Sequence, residues 1–175
     1  NGSNWESHYR TPIADYRVHL NHSLSVKPLP DKFGSESISV SVKDAAGLSP
    51  DFPHSITVTI LPRNDPPRLT AVNDSNISAG SVSLTVYEDH WSTFFFSAED
   101  IDEDPLSYST NLTDVIPELR KNEDYIFSKG NGTIELKPRN SHVGKYRFLI
   151  SIDDGNGGMD SVRVNLTIVN KNDPP

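Results

Sequence analysis

The chain has 175 residues and no cysteine, and its formal net charge at pH 7 is −8. This length allows one to two domains, and the acidic balance argues against a nucleic-acid backbone as the partner. No apolar run approaches the length needed to cross a bilayer, so we expect no membrane span in this chain. Without cysteine, disulfides give no information about the compartment.

Strand patterns dominate the chain from beginning to end. Alternating apolar residues predict strands in the first part over 16–20, 24–27, 35–43 and 55–61. They predict strands in the second part over 81–87, 93–98, 106–108, 125–127, 134–136, 146–152 and 162–169. The best helix candidate, 113–120, contains Pro117 and is expected to give one turn at most. Short strands at regular spacing with turn-rich loops predict an all-β fold, a β-sandwich.

A repeated tetrapeptide, Asn-Asp-Pro-Pro, follows a strand pattern at residues 64–67 and again at 172–175. Proline lacks an N–H donor and fixes its backbone, so each copy is expected to end a strand and to stiffen a linker. The copies lie 108 residues apart, the size of one sandwich domain. A repeat of strand and linker predicts an array of similar modules.

An offset of 110 residues aligns further segments of the two halves. Leu24–Pro28 superposes on Ile134–Pro138, and Asp44 superposes on Asp154. We therefore predict two domains, one complete repeat over 66–175 and the C-terminal part of another over 1–65. The partial repeat has no counterpart of residues 68–110. Its sheets are expected to be open by themselves, and we expect residues upstream of Asn1 to complete them.

Asn-x-Ser/Thr sequons are frequent, which favours a secreted or cell-surface chain that carries glycans on surface loops. A β protein rich in Ser, Thr and Asn also generates sequons by composition alone. A sequon also begins at Asn1, and the predicted glycosylation sites are Asn21, Asn73, Asn76, Asn111, Asn131 and Asn165.

An acidic segment follows the predicted strand 93–98. Asp100, Asp102 and Asp104 alternate along it, a pattern suited to a loop whose oxygens converge on one hard cation. The alternative is a solvated turn. An EF-hand does not fit, because the central glycine and the glutamate at the twelfth position are both missing.

The motifs together resemble the cadherin superfamily, especially the looser cadherin-like repeats of surface adhesins and dystroglycan-type modules. The resemblance rests on an ordered set of short motifs: Glu88-Asp89, Ala98-Glu99-Asp100-Ile101-Asp102, Asp154-Gly155 and Asn172-Asp173-Pro174-Pro175. It implies a Greek-key, immunoglobulin-like sandwich and Ca²⁺ between successive domains, where the ion rigidifies the array.

The resemblance also implies ligands for the ion. The residues that match the pattern at the junction of the two domains are Asn64, Asp65, Asp100, Asp102 and Asp154. Glu88 matches the glutamate near the start of a cadherin domain and is expected at the opposite end, near Asn172 and Asp173.

Departures from the cadherin pattern lower the expected number of ions. The linker places prolines where cadherins have further oxygen ligands, and Arg139-Asn140 stands where an acidic segment is usual. We expect one Ca²⁺, at most two, at the junction. The alternative is that the prolines and domain packing rigidify the array without metal.

We interpret the chain as a structural or adhesive repeat of an extracellular surface protein, a stiff rod with Ca²⁺-dependent rigidification and no enzymatic activity. Its expected partners are neighbouring repeats of the same chain and another cell-surface or matrix protein. The alternative is a carbohydrate- or ligand-binding accessory module of a secreted protein. Scattered histidines and the lack of a Gly-x-Ser-x-Gly turn give no support to a catalytic site.

Overall fold

The structure is a computed structural model that describes residues 5–41, 43–44, 46–48, 53–77 and 80–172. The chain divides into two compact units, Asn1–Arg63 and Asn64–Pro175. Strands account for 54% of the structure and helix for 4%, which confirms the predicted all-β fold. Among the described residues, no helix is long and apolar enough to cross a membrane.

Unit 1 contains two small antiparallel sheets. The first has the strand order β1-β2-β3 and the second pairs β4 with β5. The bounds are β1 Trp5–Arg10, β2 Ala14–His19, β3 Leu24–Pro28, β4 Gly34–Val40 and β5 His54–Ile60.

The core of unit 1 is small. Among its described residues, only Ala14 and Tyr16 are buried apolar side chains. The Tyr16 hydroxyl donates a hydrogen bond of 2.6 Å to Glu36 Oε1, and the Thr11 hydroxyl donates to the same oxygen at 2.7 Å. Burial, together with the neighbouring Glu36 carboxylate, raises the pKa of Tyr16 to about 12. This polar contact joins β2 to β4 and so links the two sheets.

Unit 2 is a two-layer sandwich. Its four-stranded sheet has the order β10-β13-β14-β8, and its five-stranded sheet has the order β11-β12-β9-β6-β7. The bounds are β6 Arg68–Val72, β7 Ser75–Asn76, β8 Ser81–Tyr87, β9 Ser92–Glu99, β10 Ser107–Thr110, α1 Leu112–Val115, β11 Tyr125–Ser128, β12 Thr133–Leu136, β13 Gly144–Asp153 and β14 Met159–Val169. A 3₁₀ turn spans Asn140–His142.

Strand alternation builds the core of unit 2. From Phe148 on β13 and from Val162 on β14 every second side chain is buried, and the two strands pair over their full length from Gly144↔Ile168 to Asp153↔Met159. β8 adds in parallel to β14, with Leu166 opposite Leu84. The inward side chains of both sheets form one apolar cluster. Each fully buried Leu, Ile, Val or Phe contributes roughly 1.5–3 kcal/mol from removal of apolar surface from water.

Most predicted strands lie where the structure has them, and the helix candidate gives the single turn α1. The sequence patterns missed β1, β6 and β7. β6 begins at Arg68, directly after Pro66-Pro67, and β7 has only two residues. A strand that begins directly after two prolines, or that has only two residues, contains too few alternating residues for a pattern to be recognised. Such a strand is identified only by its pairing with a neighbouring strand.

Candidate metal centre

Three carboxylates converge at one end of the unit 2 sandwich. Asp100 and Asp104 lie in the loop after β9, and Asp154 lies in the turn between β13 and β14. One carboxylate oxygen from each of the three lies within 4.8 Å of the others. The antiparallel pairing of β13 with β14 and with β10 brings these two loops to the same end.

The turn after β13 fixes Asp154, which is only 3% exposed. The N–H groups of Asn156 and Gly158 donate to Asp154 Oδ1 at 2.7 and 2.9 Å. The Asn64 side-chain amide donates to Oδ2 at 2.8 Å. The hydrogen bond from Asn64, with help from the backbone donors, holds the pKa of Asp154 below its usual value although burial raises it. This carboxylate is therefore ionised at neutral pH.

The loop after β9 presents the other two carboxylates. Asp100 Oδ1 accepts the N–H of Asp102 at 2.9 Å. Asp100 Oδ2 is buried, and no described residue donates a hydrogen bond to it. Asp104 Oδ2 accepts a hydrogen bond of 2.9 Å from the Asn156 amide. Glu103 adopts a φ of 60°, a left-handed conformation that lets the loop fold back on itself.

The Asn64-Asp65 segment is tied to the same end of unit 2. The Asp65 N–H donates to Asp102 Oδ2 at 2.7 Å, and Asn64 bonds Asp154. Asp102 thus holds the linker backbone, while Asp104 stands in the carboxylate cluster. The ligand set assigned from the cadherin resemblance did not include Asp104, although the alternation of Asp100, Asp102 and Asp104 pointed to it.

The donor set fits a hard divalent cation. Ca²⁺ takes oxygen ligands, mostly carboxylates and carbonyls, and all three converging side chains are carboxylates. A buried carboxylate oxygen without a donor is costly unless it is paired, and Asp100 Oδ2 is such an atom. The cluster therefore suits one hard cation that takes oxygen ligands.

Glu88 lies at the other end of unit 2 and is fully buried. Its Oε1 accepts the N–H of Lys171 at 2.8 Å, and no described residue donates a hydrogen bond to its buried Oε2. The Lys171 Nζ lies 2.8 Å from His90 Nε2, so an ammonium group stands close to this end. Asp173, the other predicted ligand at this end, lies outside the described residues.

The side chains of the sequon asparagines differ in their hydrogen bonds and exposure. Asn73 Oδ1 accepts the N–H of Phe95 at 2.8 Å, and Asn111 Oδ1 accepts that of Leu149 at 2.7 Å, so both hold neighbouring strands. Asn131 Oδ1 bonds the N–H of Thr133 within its own sequon. The remaining predicted sites are exposed at Asn21 and Asn76 and half-buried at Asn165. Glycosylation of these residues stays a prediction.

Comparisons with known proteins agree with this architecture. A family model described as bacterial Ig domain matches residues 64–167. Human CDH23 EC21-23 is 18% identical with a TM-score of 0.58, covering 88% of this chain and 50% of that chain. Human mucin-like protocadherin EC1-2 is 18% identical with a TM-score of 0.55, covering 92% of this chain and 80% of that chain. At this identity the two structures show the fold alone.

A nucleoside hydrolase-related hypothetical protein from Saccharophagus degradans is 18% identical with a TM-score of 0.46. It covers 61% of this chain, which spans only 26% of that protein, so this likeness carries no argument about activity. No curated protein sequence matches the chain. The bacterial Ig domain model covers more than half of the chain, and the cadherin structures confirm the predicted cadherin-like sandwich. The chain therefore belongs to the bacterial Ig domain family.

Proposed function

We propose that the chain is a structural or adhesive repeat segment of an extracellular surface protein, rigidified by Ca²⁺ at one end of unit 2. In this proposal unit 2 is one complete repeat and unit 1 is the C-terminal part of another. The observation that carries it is the convergence of Asp100, Asp104 and Asp154 around a buried Asp100 oxygen that lacks a donor.

Electrostatics explains why this end of unit 2 needs a cation. Three like charges within 4.8 Å of one another repel. The N–H groups of the loops relieve part of that repulsion at Asp100 and Asp154. A bound Ca²⁺ supplies the positive charge that neutralises the remainder.

The linker explains how such a charge stiffens the chain. Asn64 and Asp65 bond Asp154 and Asp102. A cation that holds these carboxylates in one arrangement also restrains Asn64 and Asp65, the first residues of unit 2. Pro66 and Pro67 fix the backbone that follows. Ordering this segment limits the freedom of whatever chain precedes it. A series of such repeats then transmits force and presents a distal surface.

An extracellular location is part of the proposal. The bacterial Ig domain family match, the sequons and the oxygen-only ligand set all favour it. Extracellular modules bind Ca²⁺ with dissociation constants of about 10⁻⁴–10⁻³ M, a range that suits a site with few carboxylates. The proposed partners are neighbouring repeats and another surface or matrix protein, and the proposed role is not enzymatic.

Calcium titration tests the metal site. Isothermal calorimetry of the full chain in Ca²⁺ is expected to show saturable binding of one ion, or two if the Glu88 end also binds. The melting temperature of unit 2 is expected to rise in Ca²⁺ relative to EDTA, because ligand at 100 times its dissociation constant adds about 2.7 kcal/mol of stability.

Asp100→Asn is expected to abolish the rise in melting temperature, and Asp114→Asn is the matched control. Asp114 lies on α1, away from the cluster, and is exposed. No binding heat in wild type, or equal loss of the Ca²⁺ response in both variants, refutes the metal site. Circular dichroism establishes that both variants are folded.

A further inference from the structure

We propose that the outward face of the four-stranded sheet in unit 2 binds a sulfated polysaccharide through Lys145, Arg147 and Arg163. This inference goes beyond the proposed structural role, because it assigns a class of ligand to a second surface. The strand register separates this surface from the carboxylate cluster. It does not depend on whether the chain binds Ca²⁺.

Strand register places the three cations together. Lys145 and Arg147 are exposed and two residues apart on β13, so they point to the same face. Arg163 on β14 pairs with Leu149, and Asn165 pairs with Arg147. Same-face neighbours along a strand and diagonal neighbours across strands lie about 7–8 Å apart. Arg147 therefore neighbours both other cations, while Lys145 is opposite Thr167, four residues along β14 from Arg163, and the three charges form a basic patch arranged as a row.

The patch has no internal counter-charge. None of the three side chains belongs to an ion pair among the described residues. In contrast, Arg120 and Arg139 are paired with carboxylates. The outward neighbours on the adjacent strand β8 are Ser83 and Thr85. A chain with a net charge of −8 thus presents a face with three unpaired cations and no carboxylate between them.

A groove of about 660 Å³ lies beside Lys145 and Arg147 at one end of this patch, and Arg163 lies outside its lining. Its lining combines cationic, polar and apolar residues: Val115, Lys145, Tyr146, Arg147, Asn165, Leu166 and Thr167. The concave shape suits a narrow polymer strand better than a flat lipid surface. Asn165 and Thr167 offer amide and hydroxyl groups opposite Arg147 and Lys145, and these groups match the hydroxyl-rich surface of a sugar.

The charge pattern favours sulfated sugar over nucleic acid. Guanidinium groups recognise oxyanions through paired N–H donors, and sulfate carries a permanent negative charge. A nucleic-acid site usually has a broad basic stripe on a basic domain. Here the patch is short and the whole chain is acidic. Sulfate groups spaced along a flexible sugar chain meet three local cations without requiring a long basic surface.

A binding assay with size-defined heparin oligosaccharides tests the proposal. The proposal requires that Asn165 carries no glycan, because a glycan there would cover the groove, and the full chain is therefore produced without N-glycans. Wild type is expected to bind heparin at low salt and to lose affinity as salt rises. The unsulfated backbone polymer is expected not to bind.

The combined variant Lys145→Ala, Arg147→Ala and Arg163→Ala is expected to weaken heparin binding by at least about tenfold, since hydrogen bonds to charged groups are individually strong. The matched control replaces Arg68, Lys121 and Lys129 with alanine. These residues are also exposed and in no ion pair, and their removal changes the net charge equally.

Several results overturn the proposal. Wild type that does not bind heparin at low salt excludes the ligand class. Equal weakening by both triple variants shows a response to net charge rather than to this face. Wild type that binds duplex DNA or anionic phospholipid vesicles as tightly as heparin, with the same loss of affinity in the patch variant, contradicts the proposal. This result shows that the face binds anions in general and is not specific for sulfated polysaccharide.

Discussion

Gly158 sets the geometry of the carboxylate cluster, although it carries no side chain. A Cβ at this position would lie 2.1 Å from Asp154 Oδ2, 2.8 Å from the Pro66 Cα and 3.0 Å from the Pro67 Cδ. The absence of a side chain lets the β13–β14 turn contact both the carboxylate and the proline backbone. The Asn-Asp-Pro-Pro linker and the Asp154 turn therefore depend on each other at this position.

Gly158→Ala is expected to displace the Asp154 carboxylate and to abolish or weaken the Ca²⁺-dependent rise in melting temperature. It is also expected to destabilise unit 2 by about 1–3 kcal/mol, the usual cost of forcing extra atoms into a packed site. Chemical denaturation with and without Ca²⁺ measures both effects.

Gly130→Ala is the control, because a Cβ at Gly130 would meet nothing within 4 Å. Its stability is expected to match wild type within about 0.5 kcal/mol. If Gly158→Ala also keeps wild-type stability and its full Ca²⁺ response, the close packing between this turn and the linker is not required.

The segment between α1 and β11 is held by the buried carboxylate of Asp124, which pairs with Arg139 and Arg120. Asp124 Oδ1 accepts Nε of Arg139 at 2.8 Å, and Oδ2 contacts Nη2 of Arg139. The N–H of Arg120 donates to Asp124 Oδ2 at 2.9 Å, while the Asp124 carbonyl accepts the N–H of Lys137 at 2.7 Å. Asp124 thus ties the start of β11 to the end of β12.

Asp124→Asn is expected to lower the free energy of unfolding of unit 2 by about 1.5–3 kcal/mol at pH 7, the range for hydrogen bonds to charged groups. Hydrogen bonding to Arg139, with further donors from Arg120, holds the pKa of Asp124 well below its usual value. Because the folded pKa is depressed, this stabilisation is present above the unfolded pKa of about 3.9 and is lost as pH falls below it.

Urea denaturation at pH 7 and at pH 3 checks this expectation, since the difference between wild type and Asp124→Asn should shrink at the lower pH. Glu123→Gln is the comparison variant, because its carboxylate pairs with Arg120 at the surface, where it is 57% exposed. Exposed pairs contribute about 0–1 kcal/mol. A difference in the free energy of unfolding between wild type and Asp124→Asn that grows on acidification contradicts a stabilising role of the ionised Asp124 carboxylate.

The two units differ in how completely they form a sandwich. In unit 2, β12 pairs with β9, β13 with β10 and β14 with β8. The repeat aligns β3, β4 and β5 of unit 1 with β12, β13 and β14. Within the described part of unit 1, these three strands have no neighbours in the places of β9, β10 and β8.

Hydrogen exchange on the full chain is expected to separate the two units. Amides of β2 and β4 should exchange faster than those of β13 and β14, because unit 1 buries so little apolar surface among its described residues. Calorimetry should show unit 1 melting below unit 2. Equal protection of β2 and β13, together with one cooperative transition, contradicts this view of unit 1.

The sequence alone determined the local features of this protein. Strand alternation has a period of two residues and is visible in single segments, so the strands from β8 to β14 were predictable. The repeated linker was visible because it recurs at equivalent places. The cadherin-like sandwich followed from the order of short motifs.

Tertiary structure decided which distant residues meet. Sheet pairing placed Asp104 rather than Asp102 beside Asp154, buried Glu88, and closed the Gly158 turn against Pro66. It also placed Arg163 diagonal to Arg147, on the face that carries Lys145. These contacts depend on register between strands far apart in sequence. A one-residue slip turns every side chain to the opposite face, so periodicity within a segment does not fix them.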